Sequence, residues 1–406
     1  MKGLEGGKVL ITFSIVYPTR DRSFLLASGL KALELQTYRN FEVVVSDNPS
    51  DETAAVRELC ETSTELDIKY VRAPQDSTMV ANWNFALEKC SGDYIIFLTD
   101  KMSLLPGILE RVVQSVNHFG PTDMVSWPSD VYSPSRFPDY LGPGSYHKVP
   151  RRNSPIHRKH GTPFDPVKEL RRRAKAKVSR PNQHPRDYAR GKIIFGAYSM
   201  SMVKRIQEEH GQLFWPLSAD YTSMILGLGM ARDSIELEKS GVVSVNTDIS
   251  NGELNATNDQ RALTGLKRSG QLKDDLDNMV VPGLYSAQHA IVSIDYKRMI
   301  ARLEADIDMN VKNWTMHCFK DLSRPDRLWS SLAVKEEQFS IYREFLAELN
   351  RSQRFKLSLS LMFERGLEIV KKKFGRLNFF ASPPYLPSVP FSRFEEIFAS
   401  SLEEKL

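Results

Sequence analysis

Long apolar stretches are missing from this chain of 406 residues. It has no run of about 18 consecutive apolar residues, the shortest that reads as a membrane-spanning helix. Residues 1–8 are polar and rich in glycine, unlike the apolar core of a secretory signal peptide. The sequence therefore predicts a cytoplasmic protein, with contact at the inner face of a membrane left open.

Cysteine and histidine are also scarce, with 3 and 8 residues. Cys60, Cys90 and Cys318 are odd in number and far apart, which favours reduced thiols over a disulfide framework or a zinc site. His157 and His160 have a metal-ligand spacing but lack partners, so zinc binding is not predicted. The motifs of P-loop NTPases, α/β-hydrolases and protein kinases are absent as well.

A net charge of +5 conceals one strongly basic segment at residues 150–192. It holds fourteen Lys and Arg residues against three Asp and Glu residues. Such a cluster is typical of a surface that docks phosphates, anionic lipid or an acidic polymer, and a solvated loop is the alternative. Aromatic residues that could stack on bases are sparse in it, so nucleic acid is a disfavoured partner.

Apolar strands alternate with helical patterns in the first half of the chain. This alternation predicts an α/β fold with a largely parallel, doubly wound sheet. Regular patterns fade between Trp127 and Ile193, which predicts a long functional or disordered loop. The strands are predicted at Val9–Val16, Phe41–Val45, Ile68–Val71, Tyr94–Leu98, Met124–Trp127 and Val242–Thr247.

Helical periodicity dominates the remainder, with helices predicted at Tyr285–Ala305, Leu332–Leu349 and Phe355–Phe374. The last ends in basic residues, which suit a helix C-terminus or a membrane surface; a core-packing helix is the alternative. We therefore predict an α/β domain over residues 1–260, with the basic insertion at 150–192, and a smaller, mainly helical region over 261–406.

One predicted strand leads directly into a carboxylate. In the run Gly92-Asp93-Tyr94-Ile95-Ile96-Phe97-Leu98-Thr99-Asp100-Lys101-Met102, Asp100 follows the apolar residues, and a helix is predicted after Pro106. Open α/β sheets bind ligands at the carboxyl ends of their strands. Asp100 is therefore a candidate binding residue.

Several ordered motifs over about residues 9–255 resemble those of family 2 glycosyltransferases with the GT-A fold. They are Gln36-Thr37-Tyr38 before the Phe41–Val45 strand, the turn Ser46-Asp47-Asn48-Pro49-Ser50-Asp51, and the run that contains Asp100. The resemblance implies an inverting transfer of sugar from a nucleotide sugar to a hydroxyl, in bacterial surface polysaccharide or glycan synthesis. The implied partners are that donor and a glycan or lipid-linked glycan acceptor.

The resemblance also implies roles for residues near the strand ends. Asp47 would accept a hydrogen bond from the base, and Thr19 and Arg20 would lie beside the base and the diphosphate. Asn84 would support the nucleotide pocket, or would instead be a helix residue bonded to a neighbouring loop. Arg72 is a weaker candidate, with surface solvation as its alternative.

The family's acidic run is incomplete here, because Lys101 and Met102 replace its second and third aspartates. The resemblance implies that Asp100 binds the ribose and a divalent cation, Mn²⁺ or Mg²⁺, which stabilises the leaving diphosphate. Lys101 could instead supply part of that charge. The missing aspartates also motivate an alternative function, a catalytically degenerate GT-A domain that binds glycan or a partner.

Asp220 follows Phe214-Trp215-Pro216-Leu217-Ser218-Ala219 and resembles the family's aspartate that deprotonates the acceptor hydroxyl. The family usually has a glutamate where Ala219 stands. An inverting displacement needs its base on the face opposite the leaving group, which a carboxylate from the second half of the sheet could provide. The alternative role for Asp220 is an N-cap of the helix that follows it.

Overall fold

A computed structural model describes residues 4–5, 8–149, 159–176, 185–247, 257–324 and 327–349, with isolated positions at 352, 355 and 385–386. The chain divides into two compact units. As far as these ranges are described, the first takes residues 1–170, 180–247 and 383–406, and the second takes 171–179 and 248–382. The domain boundary at residue 260 stays a prediction.

All of the described strands belong to the first unit. In order they are β1 Leu4–Glu5, β2 Lys8–Val9, β3 Phe13–Thr19, β4 Phe41–Asp47, β5 Ile68–Arg72, β6 Tyr94–Phe97, β7 Met102–Leu104, β8 Met124–Ser126, β9 Ser129–Pro134, β10 Gly144–His147, β11 Thr162–Pro163, β12 Gly196–Ser199, β13 Ser234–Glu236, β14 Val242–Val245 and β15 Tyr385–Leu386.

Helices connect most of these strands and make up most of the second unit. The α-helices up to residue 230 are α1 Ser23–Glu34, α2 Thr53–Glu61, α3 Met79–Leu87, α4 Ile108–Phe119, α5 Pro166–Ala174, α6 Pro185–Ala189, α7 Met200–His210 and α8 Ala219–Met230, with a 3₁₀ turn at Ile193–Phe195. The later helices are Asp259–Lys267, Leu272–Asp277, Gln288–Arg302, Val311–Leu322 and Leu332–Glu348.

Eight strands form the main sheet, in the order β11-β13-β8-β12-β6-β3-β4-β5. β6, β3, β4 and β5 are parallel neighbours, whereas β12 is antiparallel to both β6 and β8. A second sheet has the order β15-β10-β9-β14-β7. The predicted fold class is confirmed: a mixed, mostly parallel α/β sheet followed by a helical region.

The first predicted strand, Val9–Val16, has the wrong bounds, because β3 spans Phe13–Thr19. Its ladder with β4 continues through Pro18 to Thr19, beyond the predicted end at Val16. The ladder with β6 stops at Val16, so the missing N–H of Pro18 removes no bond on that side. All seven residues of β3 are buried, which explains why most of them are apolar.

The prediction of a long loop between Trp127 and Ile193 is wrong where the structure describes it. β9 and β10 pair as an antiparallel hairpin, and β9 also pairs with β14, which is distant in sequence. The short helices α5 and α6 follow. Long-range pairing leaves little local pattern, so the sequence did not reveal these strands.

The basic segment is not simply a docking surface or a solvated loop either. Arg186, Arg190 and Lys192 are at most 9% exposed. Arg190 forms ion pairs with Glu169 and Glu236, with N–O distances of 3.3 and 2.9 Å. Residues 150–158 and 177–184 of the segment, and all of the predicted 355–374 helix except its first residue, lie outside the described residues.

The second unit has a buried polar centre. His289 Nδ1 lies 2.7 Å from Asp321 Oδ2, and the His317 ring stacks on His289 with centroids 4.8 Å apart. The Trp314 indole donates to the Ala174 carbonyl oxygen at 2.7 Å, which ties the end of α5 into this unit. None of the described helices combines the length and apolar character needed to cross a membrane.

Three aromatic rings join the sheet of the first unit to its helices. Trp83 on α3 stacks on Phe97 of β6 at 5.3 Å, and Phe214 makes edge contacts with both rings at 5.1 and 4.8 Å. All three side chains are at most 5% exposed. This cluster fixes the loop that leads into α8 against the centre of the sheet.

We expect Phe214→Ala to lower the free energy of unfolding by about 3–5 kcal/mol, because it removes a buried ring that the rigid strand and helix cannot replace. Urea denaturation checks this. Phe119→Ala is the matched control, since Phe119 is 41% exposed, and we expect it to cost about 1 kcal/mol or less. Equal losses for the two variants would contradict the assigned packing.

Candidate active site

Among the described residues, several buried polar atoms without a hydrogen-bond partner lie at the carboxyl edge of the parallel strands. Thr19 and Asp47 end β3 and β4, are register partners, and are 2% and 0% exposed. Thr19 Oγ1, Asp47 Oδ1, Asn48 Oδ1 and Thr99 Oγ1 are buried and make no hydrogen bond within the described residues. Each such atom costs about 1–3 kcal/mol if left unbonded, so the cluster indicates a ligand site.

Asp47 is held by one neighbour and still has one unbonded oxygen. The Tyr70 hydroxyl donates to Asp47 Oδ2 at 3.0 Å. Burial and this contact raise the pKa of Tyr70, so the hydroxyl remains a donor. Arg72 is the register partner of Asp47 on β5 and is exposed. Thr19, Asp47 and Arg72 thus end three adjacent strands at one level.

Asp100 comes shortly after β6 at the same edge and is 5% exposed. Arg22 Nη1 lies 3.3 and 3.4 Å from its two carboxylate oxygens. Burial raises the pKa of Asp100, while the positive charges of Arg22 and Lys101 act in the opposite direction. The net shift is upward, so the two cations offset only part of the cost of burying the carboxylate.

The two basic residues predicted from the sequence have different settings. Arg20 is exposed and pairs with its neighbour Asp21, with Nε and Oδ2 3.5 Å apart. Lys101 is half-buried, and its backbone N–H donates to Asp100. Their predicted roles beside the diphosphate stay predictions. The cation that forms the ion pair with Asp100 is Arg22, which the sequence analysis did not single out.

Side chains at this edge do not form a metal cage. Asp100 is the only carboxylate left in the incomplete acidic run, and it is paired with a guanidinium. Within the described ranges, no group of three or more His, Cys, Asp or Glu side chains could hold a metal ion. Mn²⁺ or Mg²⁺ at Asp100 would have to compete with Arg22 and take its other ligands elsewhere. These residues therefore do not fit a resident cation.

Asn84 is bonded to a loop, as in the alternative that the sequence left open. Its side-chain N–H donates to the Phe214 carbonyl oxygen at 2.9 Å, and its Oδ1 accepts from the Phe214 N–H at 3.3 Å. The amide therefore connects α3 to the segment that leads into α8. Its contribution is to hold the approach to Asp220.

Asp220 forms an ion pair with a fully buried lysine. Lys192 Nζ lies 2.9 Å from Asp220 Oδ2; Lys192 is 0% exposed, and the Asp220 side chain is 25% exposed. Nζ also lies over the rings of Tyr188 and Tyr221, 4.2 and 3.8 Å from their centroids. Burial lowers the pKa of Lys192, but Asp220 and Tyr188 outweigh it and the net shift is upward, so the lysine stays charged.

Sheet topology brings this pair to the same edge as Asp100. β12 is antiparallel to β6, with Tyr198 opposite Ile95, so β12 begins where β6 ends. Lys192 precedes the 3₁₀ turn that leads into β12. Lys192 therefore lies near the carboxyl edge of the parallel strands. Its ion pair holds Asp220 at the same edge.

Asp220 is not the helix cap. The N-cap of α8 is Ser218, and Asp220 lies in the first turn. The capping alternative is therefore wrong, although a carboxylate in the first turn does suit the helix dipole. One oxygen of Asp220 is bonded to Lys192, and the side chain remains partly exposed to solvent.

Two residues of the candidate site were missed in the sequence. Arg22 lies two positions after Arg20 in the same turn, and no local pattern separates the two. Lys192 stands at the end of the basic segment, where charge counting suggested an exposed surface. The apolar residues directly after Lys192, Ile193-Ile194-Phe195, were the available signal that it enters the core.

Residues 14–173, less than half of the chain, match the family model described as glycosyl transferase family 2. The resemblance predicted from the sequence is confirmed for this segment. Its parallel strands and the ligand edge described above agree with the GT-A fold.

Individual relatives match more weakly. GalNAc(5)-diNAcBac-PP-undecaprenol beta-1,3-glucosyltransferase of Campylobacter jejuni is 31% identical over 110 residues, which cover 26% of this chain and 34% of that protein. An uncharacterized glycosyltransferase of Haemophilus influenzae is 28% identical over 103 residues, 25% of this chain and 34% of that protein. The chain thus spans about a third of the length of these curated relatives.

Among solved structures, S. aureus TarS 1-349 in complex with UDP-GlcNAc is similar with a TM-score of 0.43 and 13% identity, covering 87% of this chain and 92% of that chain.

We expect Asp220→Ala to destabilise the protein by about 3 kcal/mol, because it leaves the buried Lys192 charge without its partner. That value is the lower end of the range for a broken buried pair, since Asp220 is a quarter exposed. Urea denaturation measures it. Lys192→Met should cost less, because an apolar chain fills the space and Asp220 can turn to solvent.

The surface control is Glu88→Ala, whose partner Lys89 lies 3.7 Å away and whose own side chain is 64% exposed. This change should alter the free energy of unfolding by less than about 1 kcal/mol. A loss for Asp220→Ala no larger than for Glu88→Ala would contradict the assigned pair.

Proposed function

We propose that this protein is an inverting glycosyltransferase that moves a sugar from a nucleotide sugar to a hydroxyl acceptor. The observation that carries the proposal is the cluster of buried, unbonded polar atoms at the carboxyl edge, on Thr19, Asp47, Asn48 and Thr99. Ligands of open α/β sheets bind at this edge. The family match over residues 14–173 supports a nucleotide sugar as the class of ligand.

Base recognition is assigned to Asp47. Oδ2 is bonded to Tyr70, and Oδ1 lacks a donor, so a ring N–H of the base would complete the hydrogen bonding of the carboxylate. Because Asp47 is fully buried, neighbouring side chains must move before a base reaches Oδ1. Thr19 ends the adjacent strand and would lie beside the same nucleotide.

Proton transfer is assigned to Asp220. The acceptor oxygen attacks the anomeric carbon, the bond to the diphosphate oxygen breaks, and the acceptor proton passes to the carboxylate. Lys192 fixes Oδ2 and is itself buried, so it acts as a positioning residue.

The acceptor is assigned to the glycan or lipid-linked glycan class, in bacterial surface polysaccharide or glycan synthesis. Support comes from the Campylobacter jejuni relative, whose name contains an undecaprenol-linked glycan. The chain spans about a third of that protein, so the assignment rests on the shared segment. Peripheral contact with a membrane would follow from such an acceptor.

A second candidate function is a GT-A domain that binds nucleotide sugar or glycan without catalysis. The incomplete acidic run and the Arg22–Asp100 pair favour it, since the carboxylate that the family resemblance assigns to a metal is bound to a guanidinium. A hydrolysis and exchange assay with UDP-, GDP-, TDP- and CMP-sugars separates the two. Turnover that depends on Asp220 supports the enzyme, and binding without turnover supports the alternative.

For nucleotide binding, we expect Asp47→Ala to weaken the affinity for the preferred nucleoside diphosphate by about ten- to a hundredfold, because a hydrogen bond to a charged group is lost. Isothermal titration calorimetry measures this. Glu58→Ala, an exposed carboxylate on α2, is the control and should bind as the wild type does. Equal affinity of the Asp47 variant and wild type would remove Asp47 from the site.

For catalysis, we expect Asp220→Asn to lower turnover by at least about a hundredfold and to leave donor affinity unchanged, because an amide keeps the shape but cannot accept the proton. The measurement pairs turnover on the preferred donor with calorimetry. Near wild-type turnover of this variant would contradict the assigned base.

Lys192→Met provides a second readout of the same assignment. Without Lys192 Nζ the Asp220 carboxylate loses the contact that fixes Oδ2, so turnover should fall while calorimetric donor affinity stays unchanged. A merely structural role for Lys192 would lower turnover and donor affinity together.

A further inference from the structure

We propose that Arg22 is a built-in cation that binds the diphosphate of the nucleotide and does so without a metal ion. The inference deepens the proposed function and rests on it. It starts from the ion pair in which Arg22 Nη1 lies 3.3 and 3.4 Å from the two oxygens of Asp100. The guanidinium therefore binds the carboxylate to which the family resemblance assigns a divalent metal cation.

Backbone contacts fix Arg22 at the ligand edge. The residue lies three positions after the end of β3 and is the N-cap of α1, where its carbonyl oxygen accepts from the N–H groups of Leu25 and Leu26, each at 3.1 Å. Glu52 accepts from the N–H of Ser23 at 2.7 Å and so holds the first turn of the same helix. The backbone of Arg22 is therefore held at the start of α1, three positions after Thr19.

The burial of the pair makes Arg22 available to a ligand while Asp100 stays enclosed. The Arg22 side chain is 23% exposed, whereas that of Asp100 is 5% exposed. Both contacts to Asp100 come from one nitrogen and are long for a charged pair, unlike the two-pronged fork of short bonds that guanidinium and carboxylate can form. A phosphate oxygen can therefore compete with Asp100 for the guanidinium at a modest cost in these two contacts.

The negative charges of a bound diphosphate and of the carboxylates at this edge need a cation to balance them, and Arg22 can provide it. A diphosphate that arrives beside buried Asp47 and Asp100 brings negative charge to two carboxylates, which repel it unless a cation is present. The described side chains form no metal cage there. A guanidinium is always charged, and its planar shape matches phosphate, so Arg22 supplies the attraction that a divalent ion otherwise gives.

This role makes opposite predictions for the two members of the pair. Removing Arg22 should weaken diphosphate binding and release Asp100 for a divalent cation. Asp100→Asn keeps the shape of the side chain but removes its charge, so it should strengthen diphosphate binding in the absence of metal. If Asp100 acted chiefly as a metal ligand, Asp100→Asn would instead weaken binding in Mn²⁺ and leave binding in EDTA unchanged.

The experiment uses the full chain and calorimetry with UDP, GDP and TDP, each in EDTA and in Mn²⁺. For the preferred nucleotide in EDTA, we expect Arg22→Gln to lose at least tenfold in affinity, Arg22→Lys to lose less, and Asp100→Asn to gain. Arg39→Gln is the matched control, because Arg39 is exposed just before the opposite end of β4. Electron paramagnetic resonance of Mn²⁺ should show tighter binding to ligand-free Arg22→Gln than to wild type.

Thermal denaturation identifies any variant that fails to fold, and Asp100→Asn then decides the question on its own. Wild-type binding that requires Mn²⁺, or Arg22→Gln that binds as the wild type does in EDTA, would overturn the role of Arg22 and leave the proposed function standing. Absence of nucleotide binding to wild type under both conditions would overturn the proposed function and this inference with it.

Discussion

The parallel pairing of β6, β3, β4 and β5 is the constraint on which the candidate site depends. Because these strands run in one direction, the residues at and just beyond their carboxyl ends meet at one edge, including Thr19, Asp47 and Asp100. Their core is closely packed, so the strands hold the backbone of these residues at that edge before any ligand arrives. The buried polar atoms left unbonded there favour a ligand that supplies the missing hydrogen bonds once the side chains that cover Asp47 have moved.

Two carboxylates of the candidate site are each matched with one internal cation. Asp100 is paired with Arg22, and Asp220 is paired with Lys192. In both pairs the burial is uneven: Asp100 is the enclosed member of the first and Lys192 the enclosed member of the second, while the other partner stays accessible. The accessible members, Arg22 and Asp220, are the two that the account assigns to diphosphate and acceptor.

Much of the fold could be predicted from the sequence because buried parallel strands have continuous apolar runs. β4, β5 and β6 were predicted with nearly correct bounds. β9, β10 and the return through Lys192 could not be found, since they depend on pairing between distant segments rather than on local periodicity. A lysine in a basic segment also gives no sign in the sequence that it will be buried beside Asp220.

For the candidate site, the order of the motifs in the sequence predicted Asp47, Asp100 and Asp220. The basic residue that pairs with Asp100 could be identified only from the structure. Three basic residues stand close together in sequence or space around Asp100, namely Arg20, Arg22 and Lys101, and only geometry shows which one forms the ion pair. Asn84 illustrates the converse case. Its motif suggested the nucleotide, and its hydrogen bonds show a connection to the loop before α8.

The measurement that tests the central claim most directly is a crystal structure of the protein with its preferred nucleoside diphosphate, grown in EDTA. The account predicts a ring N–H of the base bonded to Asp47 Oδ1 and phosphate oxygens within hydrogen-bond distance of the Arg22 guanidinium. A nucleotide bound away from the carboxyl edge of β3 and β4, with Asp47 Oδ1 still unbonded, would contradict it.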